Sequence, residues 1–238
     1  MCTSRNCGNS CLAFLSPSQF CWFLVCIHSR LGFILAGVDF EDNRIKFPDW
    51  AELKPKTPNG KLPVLEIDGG PMKTQSMAML RWAAAKYSDT LYPLNDPDTI
   101  FAAEEVIGLL DDYKNSWIPC MYLGRAAEAY GHPEGFGSSE EGKATVQKLR
   151  EKWVKEEAPK LAASLEKCLD KNGNKWLASK DAPTIADCVV IPFLRSFTRG
   201  HVDHVPTTIW NEHPKIVEYI KRFCALDGVK GRYDNGIF

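Results

Sequence analysis

No tyrosine occurs before Tyr87, and residues 6–29 contain no Asp, Glu, Lys or Arg. The chain also has no excess of basic residues, with 29 Lys plus Arg against 30 Asp plus Glu. A nucleic-acid binder needs a cationic face to neutralise phosphates, so that class is set aside. Lys/Arg tracts as dense as those of a membrane-surface helix are missing too. The apolar run at residues 20–27 is far shorter than the roughly 20 residues of a membrane span. There is no CxxC, no Cys/His pairing and no internal repeat. The nine cysteines form an odd set, five of them within the first 26 residues. A disulfide framework and a zinc site are therefore not expected, and neither is any other metal. Isolated cysteines in apolar runs, such as Cys188, read as small core residues in a reducing, cytoplasmic compartment.

What is present is ordinary globular material: 238 residues, 45% hydrophobic and 25% charged. That suffices for one large domain or two small ones. Arg5 ahead of residues 11–15 faintly resembles a signal peptide, but polar residues 16–19 interrupt the apolar region. The other readings are a buried strand followed by a helix, or an atypical start to the chain.

From Arg30 onward the texture is regular. Residues 31–38 end a helix at Gly37, and residues 40–47 alternate as a short strand. Residues 48–59 hold three prolines and read as an irregular loop. Residues 64–67 and a short strand near Met72 flank Asp68-Gly69-Gly70, a hairpin signal. Gln75-Ser76 then opens a helix with Met77, Leu80, Ala84 and Tyr87 on one face. Residues 89–98 read as a linker, and everything after it is helical in pattern. The segments are 102–120, about 141–171, 183–194 and 214–226. Pro159 predicts a kink or break in the second.

Leu62-Pro63 enters a strand, where an X-Pro bond is cis at modest cost. Its outward-turned backbone is suited to pairing with an extended peptide. Gln75-Ser76 stands where a strand becomes a helix, and a helix N-terminus favours a carboxylate. Trp50 and Lys54 lie one turn apart, and Lys61 precedes Leu62. Taken singly, each of these residues has an ordinary structural reading.

Together, Lys61-Leu62-Pro63-Val64-Leu65, Asp68-Gly69 and Gln75-Ser76 resemble the glutathione-site signature of glutathione transferases. Trp50-x-x-x-Lys54 is similar to the sigma-type, prostaglandin D synthase-like branch. Residues 36–42 and Pro183-Thr184-Ile185-Ala186-Asp187 extend the resemblance over about residues 30–238. It implies a thioredoxin-like α/β domain over residues 1–88, with 1–29 atypical, and an all-α domain over 98–238. It implies glutathione as co-substrate and conjugation, or isomerisation, of hydrophobic electrophiles, a detoxification activity, in a homodimer. Trp50, Lys54 and Lys61 would hold the glycine end of glutathione. Leu62 would pair with its cysteinyl backbone before cis-Pro63, and Gln75 and Ser76 would bind the γ-glutamyl group. Asp112 would reach that group from the partner subunit. Tyr113, Trp117 and Tyr122 are candidates for the electrophile pocket, with core or dimer packing as their other reading. Asp187 belongs to a helix capping box and to folding.

The family's thiolate-activating tyrosine falls at Gln19 by this count. Ser18 or Ser16 could take its place, Cys21 could act as a mixed-disulfide nucleophile, or residues 1–29 are not the family's native start. A non-catalytic glutathione-binding or scaffold member is the rival class.

Overall fold

The computed structural model describes residues 10–15 and 20–230; the side chains of residues 10–25 and of Phe47 lie outside that description. Four strands form one sheet. They are β1 (Ser10–Leu15), β2 (Glu41–Ile45), β3 (Val64–Ile67) and β4 (Lys73–Thr74), in the order β2-β1-β3-β4. β1 runs parallel to β2 and antiparallel to β3, with Ala13 opposite both Asn43 and Val64. A central strand is thus present in the atypical N-terminal stretch. β1 connects to β2 by a crossover that includes α1 (Phe20–Leu35), as a parallel pair requires. Gly37, at φ 66°, takes the left-handed conformation two residues after the last helical position.

The stretch expected to be an irregular loop is mostly helical. α2 (Phe47–Leu53) is followed by two short 3₁₀ turns, at Lys54–Lys56 and Pro58–Gly60. The prolines sit in first-turn positions, where the missing N–H would have had no partner, so they start these turns instead of breaking them.

α3 (Ser76–Tyr87) has two apolar faces. Leu80 and Ala84, with Met77 alongside, join Ile27 and Leu31 of α1 in the large core of the helical half. Met79 and Ala83 join Cys26, Phe33 and Leu65 in a smaller core against the sheet, and Tyr87 packs there, not with Met77. The two helices approach closely. A Cβ on Gly32 would stand 2.7 Å from the Leu80 Cδ1.

The helical half contains α4 (Pro97–Tyr122), α5 (Glu140–Lys171), α6 (Ile185–Ser196) and α7 (Pro214–Cys224). Asp96 caps α4 by accepting from the Thr99 amide at 3.1 Å. α5 runs unbroken through Pro159. That residue is exposed, so the carbonyl it leaves unpaired can face water, while Trp153, Ala158, Leu161 and Leu165 anchor the helix on both sides.

α6 is buried along nearly its whole length and carries the expected capping box. The fully buried Asp187 accepts from the Thr184 amide at 2.7 Å, the Leu177 amide at 3.1 Å and the Tyr219 hydroxyl at 2.8 Å. Burial nevertheless pushes its carboxyl pKa up, so desolvation outweighs these donors. Asp187 acts as a hub for three chain segments.

Candidate functional site

The Leu62–Pro63 bond is cis, and both residues are buried. The β3–β4 register pairs Val64 with Thr74, so Pro63 and Gln75 are the residues that flank the last pair of the hairpin. A sequence separation of a dozen residues is thereby reduced to neighbouring positions on one edge of the sheet.

Gln75 has φ 76° and ψ 102°, a conformation that costs a non-glycine residue about 1–3 kcal/mol. It is the residue just before α3, and its side chain does not cap the helix. The amides of the first turn therefore point outward at the positive end of the helix dipole, where a carboxylate is favoured. The Ser29 hydroxyl donates to the Ser76 carbonyl at 3.1 Å and ties this turn to α1.

Asn59 (φ 60°) and Gly60 (φ 57°) are both left-handed and turn the chain into Lys61. A Cβ on Gly60 would lie 3.4 Å from the Lys54 Cε, so the Lys54 stem runs along the glycine. Trp50, on α2, and Leu62 line one pocket together. The structure brings Trp50 to Leu62 in one pocket, Lys54 to the Asn59-Gly60 turn that leads into Lys61, and cis-Pro63 and Gln75 to the two sides of the Val64–Thr74 pair, with Ser76 next in the chain. Lys54, Lys61 and Gln75 are exposed, while Trp50 and Ser76 are half-buried. The Asn-Gly dipeptide was the sequence signal for the turn that seats Lys54, and its left-handed geometry makes it part of the site.

Asp112 is exposed on α4 and makes no hydrogen bond to another described residue of its own chain. The three aromatic candidates do not share a surface. Tyr113 and Tyr122 are nine residues apart on α4, about 180° around a 3.6-residue helix. Trp117 is 1% exposed and stacks edge-on against Trp153 and Phe197, each at 4.9 Å. It is a core residue rather than a pocket wall, because the helical bundle closes over that face of α4. Ser16, Ser18 and Gln19 lie outside the described residues, as does the side chain of Cys21.

His28 is one residue that sequence reading missed. It sits buried on α1 with neither ring nitrogen hydrogen-bonded, and burial, then the Lys114 charge, holds its pKa well below the usual histidine value. Among the described residues, no group of three His, Cys, Asp or Glu side chains is placed to hold a metal ion.

Comparison with known proteins gives one answer. Residues 19–85 match the model of the glutathione S-transferase N-terminal domain, and residues 135–231 match that of the glutathione S-transferase C-terminal domain. Glutathione S-transferase 1 of Ascaris suum is 32% identical over 205 residues, covering 83% of this chain and 88% of that protein. The crystal structure of the glutathione S-transferase from Ascaris lumbricoides is 27% identical, with a TM-score of 0.68 over 93% of this chain and 94% of the other. Prostaglandin synthase D of Nilaparvata lugens, 22% identical, shares the fold with a TM-score of 0.71 over 93% and 95%.

Proposed function

The chain belongs to the glutathione S-transferase family and takes glutathione as its co-substrate, and from that premise we propose how its residues hold the tripeptide. The extended backbone of Leu62 ahead of cis-Pro63 pairs with the cysteinyl unit, as a strand edge pairs with a peptide. The uncapped first turn of α3, with Gln75 and Ser76, receives the γ-glutamyl carboxylate. Trp50, Lys54 and Lys61 hold the glycine carboxylate at the other end. The observation that supports this reading is the hairpin register, in which the Val64–Thr74 pair is flanked by cis-Pro63 on one side and by Gln75, at the start of α3, on the other.

The chemistry proposed is attack by the glutathione sulfur on a hydrophobic electrophile, or glutathione-dependent isomerisation of one. A hydroxyl that donates to the sulfur favours the thiolate and lowers its pKa. Ser18 is assigned that part, since no tyrosine precedes Tyr87. The thiolate carries the reaction, and the hydroxyl keeps its proton. The domain division gives glutathione to residues 1–88 and the electrophile to residues 98–238, with half-buried Tyr113 on α4 as its candidate contact.

Asp112 reaches the γ-glutamyl group of the partner subunit in a homodimer. Its exposed carboxylate, with no hydrogen bond or ion pair to a described residue of its own chain, supports that role. A cytoplasmic detoxification role completes the reading; no described helix is long and apolar enough to cross a membrane.

The missing tyrosine favours one second reading, a member that binds glutathione without turning it over. Retention on immobilised glutathione, paired with turnover of a generic aryl halide, separates the two. Retention with turnover that falls in Ser18→Ala supports the assignment. Retention without turnover supports the binder, and failure to be retained removes the half-site argument altogether.

A further inference from the structure

Where α4 ends and the chain leaves α6, Met121, Arg125, Arg150, His201, Val202 and Asp203 line a pocket of about 70 Å³. Gly200, left-handed at φ 70°, turns the chain after the 3₁₀ turn Phe197–Arg199, and residues 201–203 then meet α5 at Arg150. Met121 lies eight residues, about 12 Å, beyond Tyr113 along α4. None of the six lining residues belongs to the proposed glutathione or electrophile sites.

Positive charge gathers here without an adequate counter-charge. The Arg150 side chain is only 15% exposed, and its one ion-pair partner among the described residues, Asp203, stands 4.0 Å away and is itself 87% exposed. The Arg150 Nε donates to the Cys120 carbonyl at 3.0 Å and its Nη1 to the Asp203 carbonyl at 3.1 Å. Neither carbonyl carries the charge that a half-buried guanidinium calls for. The first bond also covers a carbonyl in the last turn of α4, whose partial negative charge would otherwise repel an anion. Nη2 makes no hydrogen bond to a described residue. Arg125, exposed and with its guanidinium neither hydrogen-bonded nor ion-paired to a described residue, lines the same pocket and opposes the Arg150 charge. An anion seated between two such arginines removes that repulsion and accepts from both.

Size decides which anion. About 10–15 Å³ suffices for one water, whereas a cavity that takes benzene measures about 150 Å³. The space at Arg150 therefore admits a tetrahedral oxyanion and no aromatic ring. Burial, with the Arg199 charge, holds the His201 pKa below the usual histidine value, so at neutral pH its ring is uncharged and carries one N–H. We propose that this pocket binds a phosphoryl group, free or at the end of a small organic phosphate, held by the Arg125 guanidinium and the Arg150 Nη2. Asp203 competes with the ligand for both arginines and sets a limit on the affinity. The site does not depend on how glutathione and the electrophile are held.

The test is a titration of the full chain with potassium phosphate at constant ionic strength, followed by NMR of the arginine Nε–Hε signals, with potassium chloride as the blank. Saturable shifts of the Arg125 and Arg150 signals are expected with phosphate and not with chloride. Arg125→Gln changes an exposed side chain, so it should fold and weaken phosphate at least about tenfold. Asp203→Asn removes the competing carboxylate and should tighten phosphate by up to about fivefold. Glycerol phosphate, titrated in parallel, separates the two sources. Binding at least as tight as that of phosphate supports the terminal group of an organic molecule, and weaker binding supports the free ion. If neither ligand saturates, if chloride gives the same shifts, or if Arg125→Gln binds as well as the parent, the proposal is overturned. Retention on immobilised glutathione is read separately and is moved by none of these outcomes.

Discussion

The Tyr219 hydroxyl donates a 2.8 Å hydrogen bond to the Asp187 carboxylate, and both groups are fully buried. The contact joins α7 to the start of α6, while the same carboxylate holds the Thr184 and Leu177 amides. Removing one donor from a buried carboxylate costs about 1–3 kcal/mol, so Tyr219→Phe should lower stability by that amount. Asp187→Ala should cost more, because it strands two amides and a phenol at once. Urea unfolding midpoints check the order. Equal losses would show that the Tyr219 contact carries the whole contribution of Asp187 and the two amides none of it.

His28 gives a pH dependence with a definite sign. Its native-state pKa lies well below the unfolded value of about 6.5, for burial and Lys114 both oppose the charged ring. Below about pH 6.5 the unfolded chain takes up a proton that the native chain refuses. Stability from this group is thus complete above pH 6.5 and falls as pH drops, by up to about 1.4 kcal/mol per unit, until the native pKa is reached. His28→Leu should flatten that part of the stability curve. A parent and variant with parallel curves between pH 6.5 and 5 would refute the assignment.

Gly142 opens α5 against a carbonyl. A Cβ there would stand 1.9 Å from the Phe136 oxygen, a backbone atom that cannot swing aside. Gly142→Ala should destabilise by about 1–3 kcal/mol, although alanine is the better helix former. A thermal melt unchanged or raised would mean that the Phe136 turn shifts freely.

Lys54 and Gln75 stand at opposite ends of the proposed tripeptide site. Lys54→Ala removes an exposed charge facing a carboxylate and should weaken glutathione about five- to tenfold, with the loss shrinking at high salt. Gln75→Gly relieves the positive-φ strain but removes the side chain; it should bind glutathione less well while gaining stability. Calorimetric titration with glutathione, run beside a melt, reads both. A Lys54→Ala loss that does not vary with salt would argue against an ion pair with the glycine carboxylate.

The cis bond at Leu62–Pro63, the hairpin and the start of α3, on which the proposed glutathione half-site rests, were legible in the sequence because they are local devices. A proline at a strand entrance, a glycine-rich hairpin and a helix start are each written in a few consecutive residues, and the strand period fixes how they meet. Thr184 and Asp187 were legible for the same reason, as a capping box spans only four positions. Apolar periodicity likewise set α3, α5 and α7 close to their observed limits.

Tertiary structure decided what depends on the side chains standing opposite. Trp117 could have lined a cleft or filled a core; Trp153 and Phe197, distant in sequence, enclose it. Pro159 was expected to kink or break a helix; anchors on either side of an exposed proline keep α5 continuous, so no break occurs. The loop of three prolines became α2, which brings Trp50 to Leu62 in one pocket. His28 looks unremarkable in a string of apolar residues, and only its enclosure makes it a charge-refusing group. The absent early tyrosine belongs to the sequence alone. Short-range chemistry is carried by spacing along the chain, whereas burial and enclosure are properties of the folded neighbourhood.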